Sequence, residues 1–228
     1  MSRADRIAYK DLCLDAVDVT VAADFWSQPL NLAVERRGDV CRLVDGVDEH
    51  DLWINPVPDP RSVKHRVHLD VNVVSVADLL ALGATVIDDT QPWTVLADPE
   101  GGEFCAFVRD PEQLSHHLRL YELVIDSADP GRIGGWWAER FGVEVQHGTE
   151  DDFCWIEDGP GMPWAMVFTR VPEPKSAKNR VHWDVWGETS ALVGAGATLL
   201  RARDAEIGWD VLADPDGNEF CVFAADDH

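Results

Sequence analysis

The chain is written twice, and that repetition limits the folds open to it more than any composition figure does. Residues 58–70, PDPRSVKHRVHLD, return as 172–184, PEPKSAKNRVHWD, and residues 95–107, VLADPEGGEFCAF, return as 211–223, VLADPDGNEFCVF. Weaker matches join 14–18 to 125–129, Phe25-Trp26 to Trp136-Trp137, and 39–46 to 152–159. A whole domain has therefore been duplicated. The copies run over about 8–110 and 120–228, and the polar stretch 111–117 between them reads as an exposed connector. A duplicated fold needs only its apolar pattern and its turns, so the retained histidines and glutamates suggest a duplicated site.

Each copy holds a finer rhythm. Residues 12–17 read as a strand, 21–28 as a short helix opening after Asp18 and Thr20, and 33–36, 40–44 and 52–55 as three strands parted by Gly and Asp turns. After a proline-rich connection the pattern restarts: strand 67–73, helix 76–82 stopped by Gly83, then strands 85–88, 93–97 and 103–108. Copy two repeats it, with helices near 130–141 and 188–194. The expected fold is α+β: two tandem domains, each of two βαβββ units forming a curved mixed sheet around a cavity.

Alternation assigns faces, because successive strand side chains point to opposite sides of a sheet. In 67–73 the apolar residues share one side while His68, Asp70 and Asn72 share the other; in copy two His182, Asp184 and Trp186 do so. Glu103, Cys105 and Phe107 fall together, as do Glu219, Cys221 and Phe223, and on the first strands Asp11, Cys13 and Asp15, or Glu122, Val124 and Asp126. A curved sheet with His, Glu, Asp, Trp and Phe on its inner face encloses a pocket with a few ionisable groups in an apolar wall. One imidazole with one or two carboxylates suits a divalent first-row ion. The candidate sets are Asp11, His68 and Glu103 in copy one, and Glu122, His182 and Glu219 in copy two.

Two βαβββ units per domain, a histidine in Arg-Val-His-x-Asp, and a closing Asp-Pro-x-Gly-x-Glu-Phe-Cys resemble the glyoxalase/bleomycin-resistance/dioxygenase group, the vicinal oxygen chelate superfamily. The resemblance runs over nearly the whole chain, twice, and lies nearest to bacterial glyoxalase-like domains. It implies a divalent metal (zinc, nickel, manganese or iron) held by ligands on the first and last strands of the units, at Asp11, His68, Glu103, Glu122, His182 and Glu219. Glu103 or Glu219 doubles as general base, and the activity is that of a lyase, isomerase or dioxygenase on a small oxygenated substrate. The chain departs from the metalloenzyme pattern at Asp11 and Glu122, where His or Gln is usual, and at Asn55 and Thr169. The same group includes metal-free proteins that bind bleomycin-type antibiotics, so a binding protein is the alternative reading.

Each candidate also has a plainly structural role. His68 and His182 would bond Asp70 and Asp184, and Glu103 and Glu219 would pair with Arg66 and Arg180. Asp70, Asp184, Trp186 and Trp209 are the candidate substrate-binding residues, Trp186 because it shares the His182 face. Ten tryptophans serve either as core or as a flat wall for an aromatic ligand. A formal charge of −23, from 42 acidic against 19 basic residues, disfavours nucleic acid and anionic membranes as partners. A small-molecule ligand is expected, with the chain either a monomer with internal pseudo-symmetry or a homodimer. No apolar run approaches the roughly 18 residues of a membrane span, and residues 1–6 carry no apolar leader, so a cytoplasmic protein is expected. Four of the five cysteines fall at repeat-related positions in separate domains, which favours reduced thiols over a disulfide framework.

Overall fold

The computed structural model describes residues 6–114, 119–148 and 152–224, so 115–117 of the expected connector lie outside the described residues. Four βαβββ units follow one another. The first holds β1 (Ala8–Ala16), α1 (Val19–Leu30), β2 (Ala33–Arg37), β3 (Val40–Val44) and β4 (Leu52–Pro56); the second holds β5 (Val67–Val73), α2 (Val76–Ala81), β6 (Thr85–Asp88), β7 (Thr94–Ala97) and β8 (Glu103–Val108). A single helical turn, α3 (Pro111–Leu114), leads to the third unit: β9 (Leu120–Ser127), α4 (Pro130–Phe141), β10 (Gln146–His147), β11 (Phe153–Ile156) and β12 (Ala165–Arg170). The fourth holds β13 (Val181–Trp186), α5 (Thr189–Gly194), β14 (Thr198–Arg201), β15 (Asp210–Ala213) and β16 (Glu219–Phe223). The helix starts follow local chemistry. Asp18 caps α1 by accepting from the backbone N–H of Thr20 and Val21, Asp129 caps α4 from Arg132, and Gly142 ends α4 at φ 74°.

The strands form two curved eight-stranded mixed sheets, and neither is made from one copy. One sheet runs β14-β15-β16-β13-β1-β4-β3-β2 and the other β10-β11-β12-β9-β5-β8-β7-β6. The first unit thus joins the fourth through the antiparallel pair β1–β13, and the second joins the third through β5–β9. This corrects the grouping by copy: Asp11 shares a sheet with His182 and Glu219, and Glu122 shares one with His68 and Glu103. The repeat states which units are alike; it does not state which edges pair.

Alternation puts Val67, Leu69, Val71 and Val73 on a buried outer face, and the helices cover it. Here each copy does hold itself together. Phe25 and Trp26 of α1 meet Phe104 of β8 edge-on at 5.8 and 5.1 Å, and Trp137 of α4 meets Trp183 and Phe220 of the fourth unit at 5.1 and 5.0 Å. The Trp26 indole donates to Asp98 at 3.2 Å and the Trp137 indole to Asp214 at 3.1 Å. Helices therefore tie the units of one copy while hydrogen-bonded strands tie units of different copies, giving a single core. All five cysteines are free and buried. Among the described residues no helix is long and apolar enough to cross a membrane.

Candidate functional site

The concave face of the first sheet encloses a cavity of about 670 Å³. Four strands meet there with matching parity. Cys13 of β1 lies opposite His182 of β13 and level with Trp53 of β4, while Asp15 is level with Asn55. The floor carries Cys13, Asp15, His182, Asp184 and Cys221, and the walls carry Trp53, Trp209 and Phe223, the last two stacked at 5.3 Å. An aromatic slot over a polar floor suits a small flat molecule bearing oxygen.

The floor is a tight set of donors and acceptors. Cys13 Sγ donates to Asp184 Oδ2 at 3.8 Å, and His182 Nε2 lies 3.7 Å from Asp15 Oδ1. His182 Nδ1 and Asp184 Oδ1 are buried and, among the described residues, without hydrogen-bond partners. Burial, with the Asp11 charge across the strand pair, pushes Asp184 up to about 7, so its carboxyl holds a proton near neutrality. Burial also raises the Cys13 thiol. Asp15 goes the other way: burial would raise it, but the hydrogen bonds and charges of His182 and Lys178 outweigh burial and hold it below its ordinary value.

The second sheet carries a related set of polar residues. His68 Nε2 lies 3.5 Å from Asp70 Oδ1, and burial lowers the imidazole to about 4, so it is neutral at physiological pH. Burial, then the Glu122 charge opposite, raises Asp70 to about 8. Thr169 Oγ1 donates to Asp126 at 3.2 Å.

The candidate ligands from the sequence are distributed differently from the sets expected. Asp11 accepts from Lys10 at 2.5 Å and from the Trp53 indole at 3.1 Å. Glu103 accepts from Arg61 at 2.8 Å and from the His65 N–H at 3.0 Å; Glu219 accepts from Lys175 at 2.7 Å and from the Asn179 N–H at 3.1 Å. Arg61 and Lys175 thus take the place expected for Arg66 and Arg180. Asp126 holds Lys64 at 3.0 Å, and Asp15 holds Lys178. Asp184 and Trp209 line the first cavity and Asp70 has the matching place in the second sheet, while Trp186 meets Phe223 edge-on at 5.7 Å beside Lys10. The sequence pattern puts Cys13 on the inner face without giving it a role in the candidate sets, and Trp53 is not singled out as a cavity residue. The alternation in Leu52-Trp53-Ile54-Asn55, with Leu52 and Ile54 fully buried, carries the signal for Trp53.

The donor chemistry decides how a divalent ion fits. A set drawing on Glu103, Glu219, Asp15 or Asp126 does not fit, because each carboxylate already neutralises a lysine or arginine within hydrogen-bonding distance. Among the described residues two other clusters offer candidate ligand atoms within 4.8 Å of one another: Cys13, His182 and Asp184, and His68, Asp70 and Cys105. Both combine borderline nitrogen, soft sulfur and hard oxygen, the range zinc accepts. Occupancy requires Cys13 and Asp184 to give up protons that burial makes them hold.

Comparison with known proteins gives the same architecture. Glyoxalase I from Zea mays, as its E144Q mutant, superposes with a TM-score of 0.69 at 13% identity over 97% of this chain and 95% of that one. A putative dioxygenase from Bacillus subtilis superposes at 0.60 with 11% identity, over 96% of this chain and 85% of that one. At such identities the likeness establishes the fold alone. No curated protein sequence matches the chain. The model of the glyoxalase-like domain, however, matches residues 11–107 and again 122–223, the two stretches that build the paired sheets. By fold and by sequence the chain belongs to the glyoxalase-like domain family, within the vicinal oxygen chelate superfamily.

Proposed function

We propose that the protein binds a small, flat, oxygen-bearing molecule in the first-sheet cavity and moves a proton on it with the groups of the floor, without needing a metal ion. The observation that carries this reading is the pairing of an aromatic slot, Trp53, Trp209 and Phe223, with a floor whose His182 Nδ1 and Asp184 Oδ1 lack partners among the described residues. The ring of the ligand lies against Trp209 and Phe223. Its oxygen accepts from the protonated Asp184 carboxyl, and His182 takes or returns a proton within the same floor. The chemistry is of isomerase or lyase type where the ligand carries an acidic C–H, and simple sequestration where it does not.

A metal-dependent lyase or isomerase is the second reading, favoured by the Cys13, His182 and Asp184 cluster. Those three residues would hold the ion, which would supply polarisation of the ligand oxygen.

One pair of measurements separates the readings. Titration with catechol as a flat oxygenated probe should quench tryptophan fluorescence, and Trp209→Ala should abolish the quenching; no quenching in the parent protein would sink the pocket assignment. Elemental analysis after dialysis against zinc, nickel, manganese or iron should find less than stoichiometric metal. A full equivalent that disappears in Cys13→Ala and His182→Ala would replace the first reading with the second.

A further inference from the structure

The two proline-rich loops, which link β4 to β5 and β12 to β13, meet face to face. Between them lies a second cavity of about 380 Å³, lined by 57–66 of one copy and 177–180 of the other together with Asp15. Its lining is unlike the rest of this acidic chain, with Arg61, Lys64, Arg66, Lys178 and Arg180 against the carboxylates of Asp15 and Asp59.

Three of those cations are already balanced: Arg61 by Glu103, Lys64 by Asp126 and Lys178 by Asp15. The remaining two are the repeat-related arginines. Arg66 has a buried Nε with no hydrogen-bond partner among the described residues, and its Nη1 is 3.9 Å from an Asp126 oxygen that Lys64 already occupies at 3.0 Å. Arg180 donates through Nη2 to the main-chain carbonyl of Asp59, a neutral acceptor. The buried Nε2 of His65, in the same lining, is also without a partner among the described residues. A guanidinium withdrawn from water with its donors unsatisfied is costly, and an oxyanion removes the cost through charge-assisted, often bidentate, hydrogen bonds.

We propose that this inter-loop cavity is an oxyanion site, in which Arg66 and Arg180, with the His65 ring, hold a carboxylate or phosphoryl group. In a chain of net charge −23 such a group is repelled at long range, so its capture has to be local. The site shares Asp15, Val57 and Lys178 with the aromatic cavity of the first sheet. A ligand with an anionic end and a flat oxygenated body spans both. This extension to the ligand rests on the proposed function; the anion site itself does not.

Isothermal titration of the full chain with inorganic phosphate and, separately, with malonate tests the site. Saturable binding of either anion supports it, and the tighter anion identifies the source chemistry as phosphoryl or carboxylate. Arg180→Gln and Arg66→Gln should each weaken binding about tenfold or more, the effect of losing a charge-assisted bond, and Arg180→Lys should recover part of it. Circular dichroism of each variant separates lost binding from lost fold, and the partly exposed Arg180 provides a readout if Arg66→Gln does not fold. Trp209→Ala should leave phosphate and malonate affinity unchanged, so failure of the aromatic pocket and failure of the anion site are distinguishable. No heat from either anion, or equal affinity in parent and both glutamine variants, overturns the proposal.

Discussion

Asp98 accepts from the backbone N–H of Glu100 and Gly102 and from the Trp26 indole, and Asp214 does the same for Asp216, Asn218 and Trp137. These aspartates explain why Asp-Pro-x-Gly returns almost unchanged: it is a turn that clips a helix to a sheet. Gly101 and Gly217 sit at φ 83° and 85° inside it, where a side chain would strain the backbone. The motif was therefore legible in the sequence, while its role was not, since a string of residues does not name its partners. Glu103 and Glu219 teach the same point, repeated residues whose partners are Arg61 and Lys175. Asp214→Ala removes an acceptor from buried donors, and the folded state should lose about 2–4 kcal/mol, checked by urea denaturation. A second prediction concerns pH. Asp70, Asp184 and Asp214 are raised to about 8, 7 and 6, all chiefly by burial, and His68 is lowered to about 4 by burial. Above about pH 7 the histidine is mostly neutral folded or unfolded, while native Asp70, and in part Asp184, still hold protons that the unfolded chain, with carboxyl pKa values of about 4, has released. The native state then binds more protons, so stability falls as pH rises toward about 8. Asp70→Asn should flatten the upper part of that fall in denaturation midpoints measured from about pH 6.5 to 8.5; an unchanged slope would count against a protonated Asp70.

At the scale of elements, strand alternation was the dependable signal because it follows from backbone geometry alone. It put His182 and Asp184 of β13 and Glu219, Cys221 and Phe223 of β16 on the faces that line the cavity, and it grouped His68 and Asp70 of β5 with Cys105 of β8, which lie together in the structure. The loops were harder to read. Residues 58–66 and 172–180 have no period, and their shape depends on Glu103 and Glu219, each of which takes one side-chain cation and one main-chain N–H from them. Gly102 lets the first loop sit close, since a Cβ there would lie 2.7 Å from His65 Cε1. Lys175→Ala leaves Glu219 with the Asn179 N–H alone. Amide hydrogen exchange across 172–180 should then quicken by about tenfold or more, given about 1.5–3 kcal/mol for a hydrogen bond to a charged group. Strands β15 and β16 should keep their protection. Uniform acceleration of both would mean that the pair supports the whole sheet and not its loop.

For the whole molecule, the decisive fact is that the copies exchange sheet partners while sharing helix contacts within themselves. Either pairing satisfies every local pattern in the chain, because the four units present similar edges; the choice is made by long-range packing that no window of sequence contains. The consequence is testable by cutting between the copies. Residues 1–114 alone would expose β1 and β5, the two central strands, with the hydrogen-bonding edges that β13 and β9 normally cover. Unpaired edges of that length seek partners. The half-chain should therefore self-associate into a dimer that copies the intact arrangement, with units one and two of one molecule facing units two and one of the next. Mixed with residues 119–228 it should form a one-to-one complex with the far-ultraviolet circular dichroism of the intact chain. Size-exclusion chromatography with light scattering would read both outcomes. A half-chain that stays monomeric and melts cooperatively would show that each copy closes its own sheet, and the exchanged topology would have to be abandoned.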